Sequence, residues 1–198
     1  MRKELLSELQ KTLQTKHITF VCAANICRSA MAEGLLKHAL QQAPEPLRSV
    51  KVVSCGVNAD EGSPAHEDAI FAMKEKHIDI SAHRSRNVSN TLITDSLAIF
   101  AMRNEYLEKL KRWYPAEMPA DAYLMRELLP PPENGGVFDP YDGDLDEYVR
   151  CRNYMAEAIP VIVMFLSFKI MSILLQNETA GSFKEFAHIA GKMRQWKG

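Results

Sequence analysis

Cysteine is scarce: four thiols, Cys22, Cys27, Cys55 and Cys151, in 198 residues. They have neither the spacing of a zinc site nor the density of a secreted disulfide scaffold, and a reducing cytoplasm is the expected setting. Net charge is almost absent as well, at −1, which removes any general reason to expect a nucleic-acid partner. The opening decapeptide MRKELLSELQ carries scattered charges and no unbroken apolar core, so it does not read as a signal peptide. The longest apolar run, Val161 to Leu175, is interrupted by Ser167, Lys169 and Ser172. It falls short of the roughly 18–20 apolar residues that a membrane span needs, and a buried helix is expected instead. Repeats, low-complexity segments and a clear linker are also missing, so one well-cored domain with extensions is expected.

What is present centres on Val21-Cys22-Ala23-Ala24-Asn25-Ile26-Cys27-Arg28-Ser29. This stretch follows an apolar β-type run from His17 to Val21 and leads into a helical pattern from Ser29 to Gln41. Backbone N–H groups of such a strand-to-helix turn converge, and the helix N-terminus adds partial positive charge, so the turn suits an oxyanion. Cys22 lies at its start, where the helix dipole, the amides and Arg28 favour thiolate over thiol. Arg28 can grip two phosphoryl oxygens at once, a geometry lysine cannot supply.

The remainder alternates strands and helices. Residues 1–15 read as a short amphipathic helix with Leu5, Leu6, Leu9 and Leu13 on one stripe. Strands are expected at Val50–Cys55, Leu97–Met102 and Ala122–Met125, the third strand of the chain being near-continuously apolar as in a buried parallel sheet. Helices are expected from about Pro64 to Lys76, with Pro64 in the first turn, from Ser89 to Thr94 and from Asn104 to Trp113. A Pro- and Gly-rich loop between Arg126 and Gly143 contains Val137-Phe138-Asp139-Pro140-Tyr141, and a helix begins near Asp144. This alternation, without hairpin signals, predicts an α/β fold with a parallel sheet covered on both faces and its ligand at the carboxyl ends of the strands.

Cys22-x5-Arg28-Ser29, with Asn25, Ile26 and Cys27 inside it, resembles the loop of the low-molecular-weight protein tyrosine phosphatase family. Further motifs follow in the family's order: Ser54-Cys55-Gly56-Val57, then Gly62 with Pro64-Ala65, His77-Ile78-Asp79-Ile80, His83-Arg84-Ser85-Arg86, and finally Asp139-Pro140-Tyr141. A Cys-x5-Arg spacing alone is a weak signal, whereas two motifs more than a hundred residues apart and in the right order are specific.

The resemblance covers about residues 17 to 166. It implies a three-layer α/β/α fold with a four-stranded parallel sheet in the order 2-1-3-4, of the phosphotyrosine phosphatase I type. The domain would then run from 16 to 166 between helical extensions at 1–15 and 167–198, and the last domain helix from about Asp144 to Leu166, with Leu145, Tyr148, Ile159 and Ile162 on the sheet. The implied activity is hydrolysis of phosphotyrosine in proteins without metal or cofactor. Cys22 would be the nucleophile, Arg28 and the loop Ala23, Ala24, Asn25, Ile26 and Cys27 the phosphate cradle, and Asp139 the general acid and base. Pro140 would help to fix Asp139, because a residue before proline is held extended.

The family likewise implies a stiffening network from Asn25, Ser29, Ser54 and His83, and a pocket rim at Asp60 and Tyr141. Asp60 stands where the family usually has an apolar or aromatic residue, and it is either an acidic rim that disfavours acidic peptides or a solvated loop carboxylate. Cys27 is either a partner for a reversible disulfide with Cys22 or a small buried residue. Ala24 stands where most members have glycine, and a left-handed backbone there would cost about 1–2 kcal/mol. The glycine of the Gly-Ile-Asp-Ile segment is replaced by His77. Relatives that hydrolyse phosphoarginine generally carry threonine where this chain has Ile26, which favours the tyrosine reading, although the Ser-Cys-Gly-Val turn also fits the arginine branch. Arsenate reduction needs a further cysteine pair near His83 to Asn90, and none is present there. A module that binds phosphoproteins without turnover is the non-enzymatic alternative. The expected partner is a phosphorylated protein, not nucleic acid or a membrane, with a homodimer through the two extensions as a further possibility.

Overall fold

In the computed structural model the described residues are 11–131 and 135–176. The expected Leu5, Leu6 and Leu9 stripe and residues 177–198 lie outside them, while residues 11–15 are helical and Leu13 is buried. Four strands, β1 (His17–Cys22), β2 (Lys51–Gly56), β3 (Ser96–Ala101) and β4 (Ala122–Leu124), form one parallel sheet in the order β2-β1-β3-β4. This is the expected α/β sheet, with helices flanking it. β1 is central and apolar because both of its faces are covered: Ile18, Phe20 and Val21 are fully buried. Its one buried hydroxyl, Thr19, meets that of Ser96 at 2.6 Å across the β1–β3 pair, so neither is left unpaired.

The helices are α1 (Arg28–Gln41), α2 (Glu67–Lys74), α3 (Asn90–Thr94), α4 (Asn104–Trp113), α5 (Leu145–Ala156) and α6 (Ile159–Gln176). α1 is buried over most of its circumference, with Met31, Ala32 and Leu36 fully enclosed between the sheet, α2, α5 and α6. Two buried arginines lock α5 in place. Arg152 donates to the Ala72 carbonyl and pairs with Glu75 at 2.8 Å, while Arg126 lies 3.5 Å over the Tyr154 ring and pairs with Glu157 at 2.9 Å.

Three expectations need correction. Pro64 is not in a helix: it makes an isolated bridge to Arg84, and α2 starts at Glu67 because His66 caps it, Nδ1 accepting the Asp68 N–H at 3.3 Å. The helix expected over 144–166 is two helices, α5 and α6. Pro160 has no N–H, and its ring opposes the carbonyl of residue 156, where α5 ends. Leu145, expected against the sheet, is 38% exposed as the first residue after the Asp144 cap, whereas Tyr148, Ile159 and Ile162 are buried.

α6 runs through position 166 without interruption. Ile162, Leu166 and Ile170, spaced four apart, are buried, while Met164 and Met171 are about half exposed, so the helix is buried along one stripe only. Among the described residues the stretch Leu145–Ile173 is long and apolar enough to cross a membrane by length and composition. Lys169 within it is ion-paired to Asp121, and Phe165 packs edge-on to Phe100 of β3 at 6.0 Å.

At the C-terminus of α2 the chain closes a Schellman turn: the His77 N–H donates to the Lys74 carbonyl at 2.9 Å and the Ile78 N–H to the Met73 carbonyl at 3.2 Å. His77 is the residue that must turn left-handed, with φ +59°. Its Cβ is strained there, and glycine is the residue that the turn prefers. His77→Gly is therefore expected to raise the unfolding free energy by about 1 kcal/mol in urea titrations with the m-value unchanged.

Candidate active site

β1 ends at Cys22, which pairs in register with Gly56 of β2, and α1 begins at Arg28. The five residues between form the turn foreseen from the sequence at the carboxyl end of the sheet. α1 has no side-chain N-cap bond and no acidic residue in its first turn, so its initial N–H groups face no competing carboxylate of their own helix. Cys22 is 2% exposed. Its Sγ accepts the Asn25 N–H at 3.2 Å and lies 2.9 Å from the Ser29 hydroxyl.

Asn25 makes the turn possible. Its φ of +58° is left-handed, and Ala24, where strain was expected, does not adopt a positive φ. The Ala24 replacement therefore does not incur the left-handed penalty. Short polar side chains tolerate this conformation because they bond locally, and here Asn25 is tied on every side. Its Nδ2 donates to Ser29 Oγ at 2.9 Å and Ser54 Oγ at 2.8 Å, and its Oδ1 accepts the Arg86 N–H at 2.9 Å. Its carbonyl lies 2.7 Å from His83 Nε2. The structure thus brings together all four residues expected to stiffen the loop.

Glu33 was not foreseen. Its buried carboxylate accepts from the Ser54 hydroxyl at 2.5 Å and is ion-paired to Lys37. The available signal was a carboxylate on the buried side of α1, one turn beyond Ser29. Gly56 is fixed by contact rather than by dihedral angle, since a Cβ there would stand 2.2 Å from the Ala23 carbonyl oxygen. The N–H groups of Val57 and Asn58 donate to the carbonyls of Cys22 and Ala23 at 3.0 Å each, lacing the 57–60 turn to the loop. Asp60 sits on this turn, exposed, with its carbonyl accepting the Ser85 hydroxyl.

The Arg28 side chain is 3% exposed. Burial works against its charge, but Cys22 and Asp139 outweigh burial and hold it above the ordinary arginine range. One Nη donates to the Asp139 carboxylate and lies 3.4 Å from the Tyr106 hydroxyl; the other reaches the Val137 carbonyl at 3.5 Å. Nε is buried with no hydrogen-bond partner among the described residues. An oxyanion over the loop would satisfy it. Tyr106 and Val137 were not foreseen; both hold Arg28 from elements distant in sequence.

Asp139 belongs to the loop before α5, and its Oδ1 accepts the Tyr141 N–H at 3.4 Å. Tyr141 is 55% exposed and stands edge-on to His66 at 5.7 Å, while His66 stacks on Tyr148 at 5.0 Å. The Tyr148 hydroxyl in turn lies 3.4 Å from Cys27 Sγ. One wall of the site is therefore aromatic, built on the α2 cap, with Ile26 tied to it through its carbonyl and the His66 N–H at 2.9 Å. All four cysteines are free thiols. Burial pushes Cys27 and Cys151 up to about 12, and Cys55 up further.

The two roles of Asn25, its dihedral angle and its tethers, separate by mutation. Asn25→Gly keeps the left-handed backbone and loses the side-chain bonds, whereas Asn25→Ala loses both. Orthovanadate affinity is expected to fall in both variants and further in Asn25→Ala, and turnover by about 10²-fold, the loss typical of a misplaced catalytic group. Isothermal titration calorimetry and steady-state rates check this, with circular dichroism confirming a retained fold.

A sequence model of the low molecular weight phosphotyrosine protein phosphatase family matches residues 17–169. A probable low molecular weight protein-tyrosine-phosphatase of Ralstonia nicotianae is 31% identical over 133 residues, 67% of this chain and 83% of that protein. A protein-arginine-phosphatase of Geobacillus stearothermophilus is 31% identical over 142 residues, 72% of this chain and 90% of that one. Among solved structures, a low molecular weight protein tyrosine phosphatase from T. tengcongensis superposes with a TM-score of 0.68 at 28% identity, covering 76% of this chain and 99% of that chain. The match spans the sheet, the loop from Cys22 to Ser29 and the loop that carries Asp139, and this chain belongs to the low molecular weight phosphotyrosine protein phosphatase family.

Proposed function

We propose that this chain hydrolyses phosphotyrosine in proteins through a phosphocysteine intermediate, in a reducing, cytoplasmic setting. The observation that carries the reading is the meeting of three groups from distant parts of the chain: the buried Cys22 thiol, the Arg28 guanidinium with its orphaned Nε, and the Asp139 carboxylate.

In the first step the Cys22 thiolate attacks phosphorus in line, the S–P bond forms, and the P–O bond to the tyrosine ring breaks as Asp139 delivers its proton to the leaving oxygen. In the second, Asp139 takes a proton from water, whose oxygen attacks phosphorus, and the thiolate leaves with inorganic phosphate as product. Arg28 and the loop amides hold the equatorial oxygens throughout, and such preorganised charge supplies most of the acceleration. The incoming phosphate competes with Asp139 for Arg28, so binding frees the carboxyl group for the leaving oxygen. Tyr141 forms the aromatic side of the cleft, and Asp60 disfavours acidic sequence around the phosphorylated residue.

A second reading, phosphoarginine hydrolysis by the same residues, is favoured by the similarity to the Geobacillus stearothermophilus protein-arginine-phosphatase. Ile26, apolar where those relatives generally carry threonine, supports tyrosine. Arsenate reduction lacks its cysteine pair, and a purely binding role leaves the joint presence of Cys22, Arg28 and Asp139 without a use.

The test is a paired hydrolysis assay on phosphotyrosine and phosphoarginine peptides without added metal. Release from phosphotyrosine that disappears in Cys22→Ser, with phosphate binding retained, is the expected result. Asp139→Ala is expected to slow release by about 10²–10⁴-fold, most for phenols of high pKa. A preference for phosphoarginine would overturn the assignment from Ile26, and no release from either peptide would overturn hydrolysis itself.

A further inference from the structure

A cavity of about 470 Å³ lies between one face of α1 and the segment 77–86. Its size is within the range of sites for small organic ligands. It is not the cleft over Cys22, and neither Cys22 nor Asp139 lines it. Instead its walls hold the back of the loop. His83, which meets the Asn25 carbonyl, lines it, as do Arg86, whose N–H holds Asn25 Oδ1, and Glu33, which holds Ser54 and through it Asn25 Nδ2. Three of the bonds that keep Asn25 left-handed therefore run through residues of this second cavity.

The charges at the cavity define what fits it. Of its two carboxylates, that of Glu33 is engaged by Lys37 and Ser54, and that of Asp79 accepts the Ser81 N–H at 2.8 Å. Arg84 donates to the carbonyls of Ser81 and His83 at 3.2 and 2.7 Å, and among the described residues neither Arg84 nor Arg86 has a carboxylate partner. Two guanidinium groups without counter-ions among the described residues, beside one hollow, match the fork geometry of a phosphate or carboxylate.

We propose that this cavity is a regulatory site for a small organic anion bearing a phosphate or carboxylate group, held by Arg84 and Arg86, and that its occupancy tightens the grip of the catalytic loop on an oxyanion. An anion on Arg86 restrains the backbone whose N–H carries Asn25, so the two sites share one ordered state. Coupling of this kind is reciprocal: each ligand must strengthen the other by the same factor.

The probes are adenosine 5′-monophosphate and, for the carboxylate arm, citrate, followed by amide NMR shifts in the full chain. Orthovanadate first saturates the catalytic loop, so that neither probe can enter it. The expected result is shifts at Gly34, Ile80 and Ala82 with at least one probe, and affinity about 5-fold or more tighter with vanadate bound than without it. Arg84→Glu, a change on an exposed residue outside the loop machinery, is expected to abolish these shifts while vanadate binding and basal turnover of p-nitrophenyl phosphate are unchanged. Absent shifts at those three amides, or shifts confined to residues 22–29 and lost with vanadate, would overturn the site. Cavity binding that vanadate leaves unaltered would overturn the coupling. Vanadate binding is read separately, so a failure of the catalytic loop itself is distinguishable from either.

Discussion

A single left-handed residue, Asn25, bounds what the loop from Cys22 to Ser29 can do. Asn25 turns the chain between β1 and α1 so that its own N–H reaches Cys22 Sγ, and a residue with a Cβ held there costs about 1–2 kcal/mol. The cost is offset by bonds from four directions, through Ser29, Ser54, His83 and the Arg86 backbone. These partners come from α1, β2 and the segment after α2, so the loop has its shape only when the sheet and both connections have closed. The same dependence makes the back of the loop a place where binding elsewhere can be felt, since Glu33, His83 and Arg86 also line the second cavity.

The second constraint is electrostatic. Arg28 is buried among Cys22, Asp139, Tyr106 and the Val137 carbonyl, and a buried guanidinium is tolerable only with partners of opposite charge. Asp139 supplies that charge at the rim, on a side chain 38% exposed and thus free to exchange with an incoming anion. Burial raises the other thiols, Cys27, Cys55 and Cys151, above the ordinary thiol range.

The parallel sheet was legible because β1 and β3 are mostly apolar, as strands buried on both faces must be, whereas its strand order was legible only through the family resemblance that the loop, the Ser54 turn and Asp139 carry. Helix ends were less so. His66 capping α2 and Pro160 ending α5 act through local stereochemistry that a hydrophobic period does not record, which is why Pro64 and the 144–166 span were misplaced. Glu33 and Tyr106 escaped notice, and Tyr148 was read only as a sheet-facing residue, because each serves the site through a contact with a residue distant in sequence, and a lone Glu or Tyr carries no motif. Ala24 misled in the opposite way, since the position compared with glycine is not the one that needs φ above zero.

Hydrolysis by the proposed route requires Cys22 to form a covalent bond to phosphorus. The direct measurement is acid-quenched mass spectrometry of the Cys22 peptide after mixing the chain with a phosphotyrosine peptide in excess, in the wild type and in Asp139→Ala. One phosphoryl group on Cys22 at early times, persisting longer where Asp139 can no longer activate water, is the predicted result. Turnover with Cys22 unmodified at every time point, or the phosphoryl group on a different residue, would contradict it.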